Sequence, residues 1–139
     1  MLISKKIKSD SDTIVDVKDR SGALGWIIAG KDAAQKKLTD IKFKKDPKDY
    51  DLVIIGGPVW SWNVTPAIRV YVKTNAKSLK TKRFAFFATQ GSSGAETKFK
   101  SMQDIIGKKP VATLVISGKD IRDESYKKKI EGFVADITK

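Results

Sequence analysis

Residues 51–66 read DLVIIGGPVWSWNVTP, from Asp51 to Pro66. Three signals follow one another in this stretch. Leu52–Ile55, LVII, is a continuous apolar run, short and β-branched, bounded by Asp51 and Gly56; it fits a strand buried on both faces. Thr65-Pro66 starts a helix. Thr supplies an N-cap oxygen, and Pro sits in the first turn, where its missing N–H loses no bond. Between the two signals, tryptophans stand one residue apart. In a strand interior Trp60 and Trp62 would share a face, and in a turn they would form a flat apolar surface. In either place they need a partner.

The reading extends outward in both directions. The helix begun at Pro66 runs through AIRVYVK to about Leu79, with Ile68, Val72 and Ala76 on one face. Arg83 to Thr89, RFAFFAT, is a second buried strand, and QGSSG is a turn. Ser93-Gly94-Ala95-Glu96 matches a capping box and opens a helix whose apolar face holds Phe99, Met102, Ile105 and Ile106. Gly107 ends it. Pro110 to Ser117, PVATLVIS, is a third buried strand. Gly118-Lys119-Asp120 leads into a last helix that packs through Ile121, Tyr126, Ile130, Phe133, Val134 and Ile137. Upstream, Thr13–Val17, TIVDV, alternates as a short strand does. Ala23 to Leu38, ALGWIIAGKDAAQKKL, reads as a helix weakened by Gly25 and Gly30. Ile41 to Lys48 is a basic connector.

Buried strands alternating with amphipathic helices imply an α/β domain with a parallel sheet and right-handed crossovers. The expectation is one domain over residues 1–139. In such sheets ligands bind at the carboxyl ends of the strands. Two loops belong there: Gly56–Thr65 after LVII, and Gln90–Gly94 after AFFAT. The tryptophans therefore fall in a ligand-facing loop.

Composition excludes several chemistries. The chain of 139 residues has no Cys and no His. Disulfides, thiolate nucleophiles, Ser-His triads and imidazole or thiolate metal sites are excluded. Harder chemistry would need a borrowed cofactor. Hydrophobic residues make up 40% and charged residues 32%, the balance of a folded chain. No apolar run approaches the roughly 20 residues that span a bilayer, and MLISKKIKSDSD lacks the apolar core of a signal peptide. The expected compartment is the cytoplasm, with no membrane partner. Net charge is +12, from 28 Lys+Arg against 16 Asp+Glu. That excess favours acidic partners, although charge runs usually serve only to solvate a surface.

Gly25 to Asp32, GWIIAGKD, nearly matches a phosphate-binding G-x-x-x-x-G-K-[ST] loop. Asp replaces the hydroxyl that would hold Mg²⁺, and WIIA replaces small loop residues, so the segment reads as a helix. No G-x-G-x-x-G follows any strand. The sharper features are the two strand-end loops. Indoles at Trp60 and Trp62 can stack on a flat heterocycle, and N–H groups around Gly57 and Trp60 can bond its carbonyl edge. The competing reading packs one indole on the following helix and the other over the sheet. Gln90-Gly91-Ser92-Ser93-Gly94 is small, polar and rich in N–H donors beside a helix N-terminus, which suits a polar ligand edge or a plain turn.

Tyr50 to Val72, YDLVIIGGPVWSWNVTPAIRVYV, closely resembles the second flavin loop of short bacterial and archaeal flavodoxin-like proteins. Arg20 to Ile41 resembles the helical insertion of that group, and Phe84 to Gly94, FAFFATQGSSG, its third loop. The likeness runs from Asp12 to the C-terminus, and GGPVW-x-x-NVTP is its most specific part. It implies a flavodoxin-like three-layer sandwich, a doubly wound parallel sheet with helices on both faces, and FMN as cofactor. By position, Gly57, Pro58, Val59, Trp60, Ser61, Trp62, Asn63 and Val64 would line the flavin ring, with Trp60 or Trp62 stacked on it. Thr89, Gln90, Gly91, Ser92, Ser93 and Gly94 would hold the pyrimidine side. The chain departs from the pattern at its start. The family's first strand and its Ser/Thr-Gly-x-Thr phosphate loop have no counterpart, and MLISKKIKSD looks like the end of the first helix.

Three arrangements follow from that departure. TIVDV could pair with DLVII in a shrunken sheet, a second chain could fill the gap, or the region before Tyr50 could rearrange. A homodimer is the favoured arrangement. The leading functional reading is an FMN-binding electron-transfer protein, with cofactor binding weak or lost, working with an acidic redox partner and not with nucleic acid. The alternative is a cofactor-free basic module that binds an acidic protein or nucleic acid. A third reading is an enzyme, a flavin-dependent quinone or nitro reductase.

Overall fold

The computed structural model describes residues 2–16, 41–59, 65–91 and 93–139. The helix expected over residues 23–38 lies outside the described residues. In chain order the described elements are helix α1 (Leu2–Ile7), strands β1 (Val15–Asp16) and β2 (Ile41–Lys42), a 3-10 turn (Pro47–Asp49), β3 (Leu52–Pro58), α2 (Pro66–Thr74), α3 (Ala76–Lys80), β4 (Arg83–Gln90), α4 (Ala95–Ile106), β5 (Thr113–Ser117), α5 (Gly118–Arg122) and α6 (Tyr126–Ile137).

The three apolar runs form one parallel sheet of order β3-β4-β5. β3 and β4 pair from Leu52↔Arg83 to Pro58↔Thr89, and β4 and β5 from Phe86↔Thr113 to Gln90↔Ser117. β4 is the middle strand, which explains why RFAFFAT carries no polar alternation: both of its faces are covered. Phe84, Phe86 and Ala88 point to one side, among Ile68, Val72 and Leu79 and the α4 residues Phe99 and Met102. Ala85 and Phe87 point to the other side, where Leu114, Ile130, Phe133 and Ile137 form a second core with Ile3. The result is three layers: α2, α3 and α4, then the sheet, then α1 and α6. This is the α/β sandwich the sequence implies. MLISKKIKSD does contribute a short helix, and Ile3 is buried.

TIVDV does not join LVII. Among its described residues only Val15–Asp16 is a strand, and it pairs antiparallel with Ile41–Lys42 in a separate two-stranded sheet. The neighbouring chain is fixed by Asp12, whose carboxylate accepts the N–H groups of Lys44 and Lys45 at 2.7 Å each. Asp10 accepts the Tyr50 hydroxyl at 2.7 Å. Phe43 meets Tyr71 edge-on, ring centres 5.0 Å apart. An alternating segment of this length specifies which face is buried, but not its partner strand.

Two helix boundaries and one capping bond differ from the sequence pattern. The helix expected to reach Leu79 breaks at Asn75, whose side-chain amide donates to the Tyr71 carbonyl at 2.9 Å and so competes with the continuing turn. Thr65 stands at the N-cap with Pro66 behind it, but its side chain makes no capping bond. The expected Ser93–Glu96 box is absent: the N-cap of α4 is Gly94, at φ 106, a left-handed conformation open to glycine. A capping box forms elsewhere, between Ser117 and Asp120 at the start of α5.

Candidate functional site

Parallel strands in register end side by side. Pro58 is level with Thr89, and the Val59 N–H donates to the Thr89 carbonyl at 3.1 Å, so the pairing runs one residue beyond β3. The loop carrying the tryptophans in sequence therefore departs beside the loop carrying Gln90 to Gly94. β5 finishes at the same end, with Ser117 level with Gln90. A Cβ placed on Gly118 would lie 3.9 Å from the Gly91 carbonyl oxygen. Three strand ends thus lie side by side at the carboxyl end of the parallel sheet.

Of the residues singled out in the sequence, Gly57, Pro58 and Val59 lie on one side of this junction and Thr89, Gln90 and Gly91 on the other. Pro58, Thr89, Gly91 and Ser93 are exposed, while Gly57, Val59, Gln90 and Gly94 are half-buried. Trp60, Ser61, Trp62, Asn63, Val64 and Ser92 lie outside the described residues. The Gln90 side-chain oxygen accepts the Ala95 N–H at 3.0 Å. That bond satisfies one of the donors a helix N-terminus leaves without an intrahelical partner and ties the end of β4 to the start of α4. Among the described residues nothing lies within 4 Å of where a Cβ on Gly91 would stand.

Beneath the junction sits Lys98, which the sequence analysis passed over. It is fully buried on α4. Its Nζ donates to the carbonyls of Gly57 at 2.9 Å and Pro58 at 3.1 Å. Burial disfavours the charged form and pushes the ammonium down to about 8. The signal for it is its place in the pattern: Ala95, Phe99, Met102 and Ile106 form the apolar stripe of α4, and Lys98 lies within that stripe. A lysine there must find oxygen atoms inside the fold or be expelled from it. One turn on, Ser101 Oγ accepts from Arg69 Nη1 of α2 at 3.4 Å.

The arrangement offers an open, backbone-rich edge on the β4 side and a loop start held from below on the β3 side. Among the described residues no group of three or more His, Cys, Asp or Glu could hold a metal ion, and no helix is long and apolar enough to cross a membrane. A shallow cavity of about 430 Å³, lined by Gln103, Asp104, Gly107, Lys108 and Lys109, lies at the opposite end of α4 from Lys98.

Comparison with known proteins fits this geometry. The flavodoxin domain family matches residues 26–130. A solved structure of a flavoprotein in complex with FMN from Lactobacillus acidophilus NCFM superposes with a TM-score of 0.62 at 22% identity, covering 89% of this chain and 86% of that one. At that identity the likeness is one of fold. No curated protein matches the chain.

Proposed function

The chain belongs to the flavodoxin domain family, and from that premise we propose that it binds FMN at the junction of β3 and β4 and serves as an electron carrier. The observation that carries this reading is the register Pro58↔Thr89 with its Val59–Thr89 bond, which starts the two loops next to each other. A planar ring needs an apolar wall on its faces and fixed donors on its edge. Residues 57–64 supply the wall, with Trp60 or Trp62 as the stacking indole. Residues 89–94 supply the edge, where the exposed backbone at Gly91 leaves room for a ligand. When bound, FMN supplies one- and two-electron transfer; the chain's part is to bind and orient it. The excess of lysine over acid makes an acidic protein the natural redox partner, because opposite fields raise the rate of encounter.

Adding the purified protein to FMN while following flavin fluorescence tests the reading. Saturable quenching is expected, since a stacked indole quenches the flavin. Fluorescence unchanged at high micromolar protein removes it.

A further inference from the structure

The end of β3 is held by a charge that no surface feature reveals. Two successive carbonyls, those of Gly57 and Pro58, both accept from the Lys98 ammonium. The chain reaches Trp60 two residues later. Charge-assisted bonds of this kind are roughly twice as strong as neutral ones. A buried ammonium is costly to desolvate, so it holds a loop only where its donors meet acceptors inside the fold. A buried charge kept under such conditions fixes geometry more than it adds stability.

We propose that Lys98 is the positioning residue of the flavin slot: its ammonium pins the Gly57 and Pro58 carbonyls and so fixes the end of β3, Gly57 to Val59, from which the chain continues to Trp60. This rests on the FMN reading for its ligand, but not for the clamp itself. With both carbonyls turned onto Lys98, neither is aimed at the ligand.

The clamp has a pH signature. The charged groups on the elements packed around Lys98 are few. α2 presents Arg69, engaged with Ser101. Lys80 of α3 meets the far end of α4, 3.7 Å from a Cβ on Gly107. Arg83 of β4 and Glu96 of α4 are exposed. Desolvation lowers the Lys98 ammonium to about 8, so the clamp weakens as pH rises through that value: the neutral amine keeps two donors but loses its charge assistance.

Two measurements test this. Read in a Trp26→Phe background, so that Trp60 and Trp62 are the emitting indoles, emission of the FMN-free protein should show a transition centred near pH 8. In Lys98→Met that transition should be absent, and emission at neutral pH should resemble that of the wild type at high pH. The variant should fold but melt somewhat lower than the wild type, because two carbonyls lose their donor, and bind FMN at least about tenfold more weakly, the equivalent of one charge-assisted bond. A folded Lys98→Met with wild-type emission and FMN affinity within about twofold of wild type overturns the proposal. So does a wild-type protein whose indoles show no transition from pH 7 to 9.5, a result that stands even if the variant does not fold. An indole transition that Lys98→Met abolishes, in a protein that never quenches FMN, upholds the clamp and removes the ligand.

Discussion

The Phe87 ring of β4 occupies the space that a side chain at Gly56 of β3 would take. A Cβ built on Gly56 runs into the ring's Cγ, Cδ1 and Cε1 atoms. The glycine is therefore demanded by a cross-strand neighbour: Gly56 pairs directly with Phe87 in the ladder. Gly56→Ala should force the ring off its rotamer and destabilise the protein by about 1–3 kcal/mol, the usual range for overpacking. Urea denaturation measures it. Combined with Phe87→Ala, which vacates the space, the same change should cost clearly less than it does alone. A strictly additive double variant would mean that the ring is not the obstacle.

The middle strand should dominate stability. Phe86 is fully buried and stacks on Phe99 with ring centres 5.8 Å apart. Phe86→Ala leaves a cavity in the core beneath α4 and should cost about 3–5 kcal/mol, a large part of the roughly 5–15 kcal/mol that a domain possesses. Val111, 42% exposed, is the contrast: Val111→Ala should fall within about 0.5 kcal/mol of wild type. Thermal unfolding of the two variants, read side by side, checks the contrast.

These residues also show what the sequence makes legible. LVII and RFAFFAT announce strands covered on both sides because burial leaves no room for polar alternation. The 95–106 stripe announces a helix, since Phe99, Met102 and Ile106 must share one face. Parallel strands in register end side by side, which is why Gly57 to Val59 and Thr89 to Gly91 meet. What the pattern hides is the identity of hydrogen-bond partners. Ser93 has the spacing of a cap, yet Gln90, five residues before Ala95, takes the Ala95 amide instead. Asn75 breaks a helix through a bond to Tyr71 that propensity alone does not reveal. Lys98 reads as a blemish in an apolar stripe until the carbonyls of another element, some forty residues away, are seen to need it.

Asp120 should control the acid limb of the stability curve. Its carboxylate accepts from Lys129 Nζ at 2.8 Å, from the Ser117 N–H at 2.7 Å and from Ser125 Oγ at 2.9 Å. These bonds, that of Lys129 foremost, hold it well below the usual carboxylate range. A carboxyl depressed in the folded state is still ionised there when its unfolded counterpart, near pKa ~3.9, takes up a proton. Its contribution is therefore complete above about pH 4–5 and is lost as pH falls further. Asp120→Asn should lower the melting temperature at pH 7, and the gap to wild type should narrow steadily below pH ~4. A gap that stays constant down to pH 2 would mean that the charge on Asp120 contributes nothing.

The excess of positive charge should be visible in the potential of bound FMN. Reduction adds negative charge to the ligand, and a protein at +12 favours that more than a neutral one would. Most of the charge sits on exposed lysines, whose field is screened within about 30 Å at 0.01 M salt and about 3 Å at 1 M. The midpoint potential should therefore fall as salt is raised between those limits. Lys98 behaves differently, because it is buried against the Gly57 and Pro58 carbonyls and mobile ions cannot reach it. Lys98→Met should lower the potential by nearly the same amount at both salt concentrations, whereas neutralising exposed lysines lowers it only at low salt. Redox titrations of wild type and variant at the two ionic strengths separate the contributions. If salt erases the effect of Lys98→Met, the buried ammonium acts through the surface field and not directly on the ligand.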